Sequence, residues 1–321
     1  PERGLFILIF LFSLIFISLF IFFFFHKPNQ SNLNNFFWLS KETSIIINNW
    51  FMMYFLSVVL VGTVYPIFLD VLTSEKISVG PPFYHKLIIP FLIPFLLIMA
   101  IGPKLKWIKS NLEDKVYLIS LLFISFLLSF LIVKNFNSNF LINTILISSA
   151  LYLFFVTLRD FFIKKKNNIS QNIAHFGFSL LILSILFNSL FSTEIITNLK
   201  VGETFETSTT KIIFKNINQK KEKNYKSVVG NFSIQNSNGK IDNLSPELRI
   251  YNQPNIVTSE ADIKTTLLSD KFLVINLVQN QDYFNVRYQV KPFMLWIWLS
   301  VIIISFGGLT SLFKKEYNEP R

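Results

Sequence analysis

Few side chains in this sequence can carry chemistry. It holds three histidines, His26, His85 and His175, and no cysteine, so disulfides, thiolate metal sites and cysteine nucleophiles are excluded. Glycine-rich phosphate loops, HExxH, CxxC and nucleophile elbows are absent as well. His175 stands out by its surroundings: the stretch 172-NIAHFGFSLLILSILFNSLF-191 sets one imidazole at the start of an apolar run. An imidazole in a spanning helix is costly to desolvate and faces the bundle interior, where it meets a polar partner or a metal. Neutral imidazole is the common axial ligand of haem iron, its second nitrogen donating to a neighbour. Ala174 and Gly177 leave room for a flat group, and Ser179 lies one turn further along the same face. The same residues also fit a histidine hydrogen-bonded to another helix, with Gly177 serving close packing.

The other two histidines have blander settings. His26 follows four phenylalanines and precedes Lys27, which places it in the headgroup layer. His85 falls in 77-ISVGPPFYHK-86, where Gly80, Pro81 and Pro82 read as a stiff loop, equally suited to docking a partner, lining a cavity or connecting two helices.

These residues must be positioned by membrane helices. The 321-residue chain is 51% hydrophobic and 15% charged, with 38 phenylalanines, too apolar for a soluble surface. Seven stretches are long enough to approach or cross a bilayer core: Leu5–Phe25, Ile45–Leu72, Leu87–Ile101, Val116–Val133, Phe140–Leu158, Ile173–Phe191 and Phe293–Phe313. Pro66, Pro90 and Pro94 predict kinks or tilts in the second and third. The first residue is Pro1 and no basic n-region precedes Leu5, so the start does not read as a signal peptide, and the chain reads as the rear part of something longer.

The formal charge of +11 is distributed by topology. Lys27, Lys41, Lys104, Lys106, Lys109, Lys115, Arg159, Lys164–Lys166, Lys314, Lys315 and Arg321 flank one side, while the short loops of the other offer Arg3, Lys76, Lys86 and Lys134. Basic residues stay on the cytoplasmic side, so the N-terminus is expected outside and the C-terminus inside. With little aromatic interleaving, the lysine clusters argue against nucleic-acid binding. Residues 192–292 turn polar, and Lys211–Asn216, Val228–Gln235, Glu247–Tyr251, Lys271–Val278 and Tyr283–Val290 predict strands, with Asn238-Gly239 as a turn. The expected fold is an α-helical polytopic membrane protein with one extracytoplasmic β-rich domain: 1–191 as six spans, 192–292 as the periplasmic or intermembrane-space domain, and 293–321 as the last span with a cytoplasmic tail.

Several stretches in order resemble the C-terminal half of the CcmF/NrfE family of cytochrome c biogenesis haem lyase subunits. They are 1-PERGLFILIF-10, 39-LSKETSIIINN-49, 62-GTVYPIF-68, 77-ISVGPPF-83, 174-AHFG-177, 245-SPELRIY-251, 258-TSEADI-263 and 287-RYQVKPFMLWIWL-299, then Gly307-Gly308. The resemblance implies that haem is taken from a CcmE-like haem chaperone and joined to the CxxCH thiols of apocytochrome c, with a CcmH-like delivery subunit as a further partner. It also implies a haem b inside the membrane held by two helix histidines, with His175 at the position of one of them. The tryptophan-rich outer segment, the second membrane ligand and both outer haem-binding histidines have no counterpart here. The chain is then a fragment or one product of a split gene, no catalytic residue is assigned, and it is not expected to complete the attachment reaction alone. His26 and His85 match no ligand. A haem-free transporter or permease and the nitrite-reductase maturation paralogue are the alternatives, and the membrane is a bacterial inner membrane or a mitochondrial one.

Overall fold

The computed structural model describes residues 2–25, 37–73, 77–109, 114–136, 139–163, 169–236, 239–254, 256–278 and 282–312. Six helices precede a β-rich segment and a seventh follows it: α1 (Glu2–Phe25), α2 (Lys41–Thr73), α3 (Pro81–Ile101), α4 (Lys115–Val133), α5 (Phe140–Ile163), α6 (Ile169–Phe191) and α7 (Met294–Leu312). Among the described residues, α2 to α7 are long and apolar enough to cross a bilayer, and α1 adds an apolar stretch from Ile9 to Phe25. The chain is a multi-pass helical membrane protein carrying a β-rich domain.

Helix α3 starts at Pro81, six residues earlier than hydropathy indicates. Gly80 is extended and precedes two prolines at the first helical positions, where a missing N–H costs nothing because that donor has no intrahelical partner. His85 therefore sits, exposed, on the first turns of α3 rather than in a loop. Helices α2 and α3 run on through Pro66, Pro90 and Pro94. His26 lies outside the described residues.

Helix α5 forms the centre of the bundle: 61% of its apolar window is buried, against 11–22% for the other five spans. Ile147, Ala150, Leu153 and Val156 on α5 pack with Phe95, Leu96 and Ala100 of α3, Leu118 and Leu121 of α4, and Leu183 of α6. The outer faces of the surrounding helices remain apolar and exposed, as a lipid solvent requires. Every side chain from Ile9 to Phe25 on α1 is exposed.

The β-rich domain is an antiparallel two-sheet sandwich. One sheet has the order β1 (Thr193–Leu199), β10 (Phe284–Pro292), β9 (Ser269–Leu277), β8 (Asp262–Thr265). The other has the order β2 (Thr204–Glu206), β3 (Thr210–Lys221), β4 (Tyr225–Asn236), β6 (Glu247–Tyr251), β7 (Val257–Glu260), with β5 (Ile241–Leu244) also paired to β4. Inward positions alternate along the strands, so Val286 and Tyr288 of β10 meet Leu273 and Ile275 of β9 in the core with Phe214 and Phe232. The last two rings stack at 4.2 Å.

Single residues join the sandwich to its two helices. Only Ser192 separates α6 from β1, and Phe293 alone separates β10 from α7. Phe293 adopts φ 60°, a left-handed conformation unusual for a bulky residue, and its N–H donates to Leu268 O at 2.9 Å. The Asn188 side-chain amide donates to Pro292 O at 2.5 Å. Strands β1 and β10 pair from Thr193↔Val290 to Leu199↔Phe284, so the ladder that closes the sandwich also holds the adjoining ends of α6 and α7 together.

Candidate functional site

His175 lies on the second turn of α6, near the end of the bundle opposite the sandwich. Its rotation is set by small residues and hydroxyls that lock α6 to its neighbours. A Cβ on Gly177 would come 2.9 Å from Ile304 N, and one on Gly307 would come 2.7 Å from Ala174 N. Helices α6 and α7 thus meet nearly backbone to backbone, as small residues permit in membranes. Ser170 Oγ donates to Gly307 O at 2.7 Å. On the α5 side, Ser179 Oγ and Thr157 Oγ1 are 2.9 Å apart, and Asn172 Nδ2 donates to Asp160 O at 3.2 Å.

This packing corrects one expectation. Gly177 does not leave space for a flat group, because α7 fills the space beside it, whereas Ala174 packs on Gly307 and also borders open space. Ser179 is likewise committed, to Thr157 and Phe176 O, and does not serve the imidazole.

The space near His175 lies on other sides. A cleft of about 440 Å³ is bounded by α2, α3, α6 and α7, with Phe95, Met99, Phe178 and Ile304 as apolar wall and Lys41, Ser44, Asn48 and Gln171 as polar lining. This volume falls within the roughly 300–1,000 Å³ typical of ligand pockets. His175 Nδ1 is buried and has no hydrogen-bond partner. Such an atom costs about 1–3 kcal/mol where left unsatisfied, so it marks a site that something completes.

A second constellation was not legible in sequence. Lys104 Nζ donates to both carboxylate oxygens of Asp160 at 2.7 Å, across 56 residues of chain. The two side chains are only 11% and 14% exposed. Asp160 and His175 border the same small void. An acidic residue two residues beyond an apolar span was the available signal, but its partner lies two helices upstream. Around this end, Lys41 N donates to Lys106 O at 3.0 Å, Arg159 pairs with Asp114 at 3.1 Å, and Glu42 accepts from Ile108 N at 2.9 Å. The start of α2, the end of α3, the start of α4 and the end of α5 are thereby tied at one end of the bundle. Among the described residues, no group of three or more His, Cys, Asp and Glu side chains could hold a bare metal ion.

The donor set fits a haem: an imidazole beside a cleft with apolar walls, and a lysine with hydroxyl and amide groups along its lining. The family model for the CcmF C-terminal beta-sandwich matches residues 190–292, which is the β-rich domain. The cytochrome c-type biogenesis protein CcmF of Pseudomonas fluorescens is 28% identical over 334 aligned positions, covering 99% of this chain and 50% of that protein. Over nearly its whole length this chain is similar to CcmF. CcmF of Escherichia coli K12 is 26% identical over 99% of this chain and 50% of its own length. The solved structure of the cytochrome c heme lyase CcmF superposes with a TM-score of 0.68 at 20% identity, covering 87% of this chain and 46% of the other. The chain spans about half the length of the curated CcmF relatives it matches.

Proposed function

We propose that this chain acts in cytochrome c maturation as part of a haem-handling membrane assembly, with His175 as an axial ligand of a haem b seated in the α2–α3–α6–α7 cleft. The observation that carries this reading is an imidazole in an apolar span bordering a cleft of ligand size that has an apolar wall and a lysine, hydroxyl and amide lining. The CcmF relatives are named as cytochrome c-type biogenesis proteins, and the fold neighbour as a heme lyase. Phe95, Met99, Phe178 and Ile304 would hold the macrocycle, and Lys41 with Ser44 and Asn48 would take its carboxylates. Bound there, haem supplies a one-electron couple inside the membrane. The chain's own residues orient the ligand ring, wall the macrocycle with apolar side chains and neutralise carboxylate charge.

The basic-residue asymmetry supports placing residues 192–292 on the outer face, with residues 1–191 and 293–321 as membrane parts flanking it. There the sandwich would shape the approach of a haem chaperone and of apocytochrome c to the shared assembly, and thioether formation would require further chains or segments. A permease reading has no comparable support. The test is His175→Ala in the assembled complex. Loss of the reduced b-type Soret and α bands from a variant that still inserts is expected, and an unchanged spectrum overturns the assignment.

A further inference from the structure

His175 is a shared wall between two spaces. One is the cleft. The other is a small void whose polar lining is Thr157, Asp160, Gln171, Asn172 and His175 itself, with Val156 among its apolar lining, and it offers about 10 Å³ to the centre of a water molecule. That is room for one water, provided polar partners surround it.

Those partners can be counted. Thr157 Oγ1 is engaged with Leu153 O at 2.9 Å and with Ser179 Oγ, and Asn172 Nδ2 with the Asp160 backbone. His175 Nδ1 is one of three buried side-chain atoms without a partner among the described residues. Asp160 accepts two bonds from Lys104 Nζ, but an ionised carboxylate has about four lone-pair sites, so it can accept another. The void is thus bordered both by the residue whose ring nitrogen is short of a partner and by an anion with spare acceptor capacity. The anion is fixed, because Lys104 clamps both oxygens where neither side chain is much exposed to solvent.

We propose that Asp160, held by Lys104, is a positioning residue for His175, acting through one water molecule in this void. The water accepts from Nδ1–H and donates to the carboxylate. That link fixes the tautomer with the proton on Nδ1, leaves Nε2 as the iron ligand, and makes the imidazole more basic. Metal-bound histidines are oriented and tuned in this way by outer carboxylates. The inference rests on the reading of His175 as a haem ligand. It adds a consequence of its own: a more basic ligand favours the ferric state, so the Asp160 link lowers the midpoint potential of the haem.

The test is a redox titration by absorbance on the complex that this chain forms in its own membranes, purified with bound haem, in four versions: wild type, Asp160→Asn, Val156→Ile and His175→Ala. Asp160→Asn removes the anion. Val156→Ile pushes one methylene into the void, displacing the water while leaving the Lys104–Asp160 pair intact. Both are expected to retain haem and to raise the reduced-to-oxidised ratio at fixed solution potential by about tenfold, which is about 59 mV for a one-electron couple. Asp160→Asn also strands the Lys104 charge, which by itself raises the potential, so Val156→Ile, which keeps both charges, isolates the water link. Wild-type potentials in either variant overturn the inference, and if Asp160→Asn fails to accumulate, Val156→Ile alone decides it. His175→Ala separates the two levels. Unchanged haem bands there sink the ligand reading itself, whereas lost bands with wild-type potentials in the other two variants sink only the role of Asp160.

Discussion

Gly307 and Gly308 are adjacent on α7 and predict opposite outcomes for the same substitution. A Cβ at Gly307 would lie 2.7 Å from Ala174 N and 3.0 Å from both Ala174 Cα and Cβ, whereas a Cβ at Gly308 meets nothing within 4 Å. The atoms in the way at Gly307 include helix backbone, which no side-chain rotation can clear. Overpacking of this kind costs about 1–3 kcal/mol. Gly→Ala in a helix gains about 1 kcal/mol of propensity at either position, so the difference between the variants isolates the clash. Gly307→Ala should therefore be less stable than Gly308→Ala by about 1–3 kcal/mol, roughly 5- to 150-fold in the unfolding equilibrium at about 1.4 kcal/mol per decade. The assay is a denaturant titration of the two variants in the same detergent, followed by far-UV circular dichroism. Because Ala174 and Ile304 both line the cleft, Gly307→Ala should also weaken haem retention. Equal stability of the two variants would refute the backbone-to-backbone α6–α7 contact on which the placement of His175 depends.

Three further outcomes concern the sandwich and its side of the membrane. Burial pushes the Asp242 carboxyl up, but hydrogen bonds from Lys264 at 2.7 Å and from Lys271 outweigh it and hold the group below its usual value. A lowered folded pKa means that the stability is present above about pH 4 and is lost as pH falls through the lowered value. Asp242→Asn should cost about 3 kcal/mol at neutral pH by stranding Lys271 and should flatten the acid limb of a melting-temperature series; an unaltered limb would refute the triad. Burial pushes the Tyr288 phenol up to about 12, with the Asp242 charge adding to it, so its contribution is present below about pH 10 and is lost as pH rises toward 12. Tyr288→Phe should be neutral or stabilising by about 1 kcal/mol, because the hydroxyl is buried without a partner, and a loss above that size in thermal melts would contradict it. A reporter fused after Ser192 should lie outside the membrane and one fused after Arg321 inside; reversed labelling would overturn the assigned sidedness.

Hydropathy located all seven helices because lipid demands long apolar runs, and the alternation of Phe284, Val286, Tyr288 and Val290 located a core strand. The predicted strand Glu247–Tyr251 coincides with β6, and the other four predicted strands fall within or beside β3, β4, β9 and β10. Strands β1, β2, β5, β7 and β8 were not legible. Most are short edge segments such as Val257–Glu260 and Asp262–Thr265, whose polarity reads as loop. The start of α3 was hidden because Gly80-Pro81-Pro82 suits a turn and a helix N-terminus equally. At the candidate site, the imidazole itself was visible as a polar group in an apolar run. Its environment was not: whether Gly177 admits a ligand or a helix depends on where Gly307 lies, 130 residues away (307 minus 177). The Lys104–Asp160 pair depends in the same way on how α3 and α5 pack.

The most direct measurement is a high-resolution density map of the membrane complex containing this chain, read at the His175 ring. Planar density in the α2–α3–α6–α7 cleft, joined to Nε2 at an iron–nitrogen bonding distance, is the result predicted here. An imidazole in contact with protein or lipid alone would contradict it.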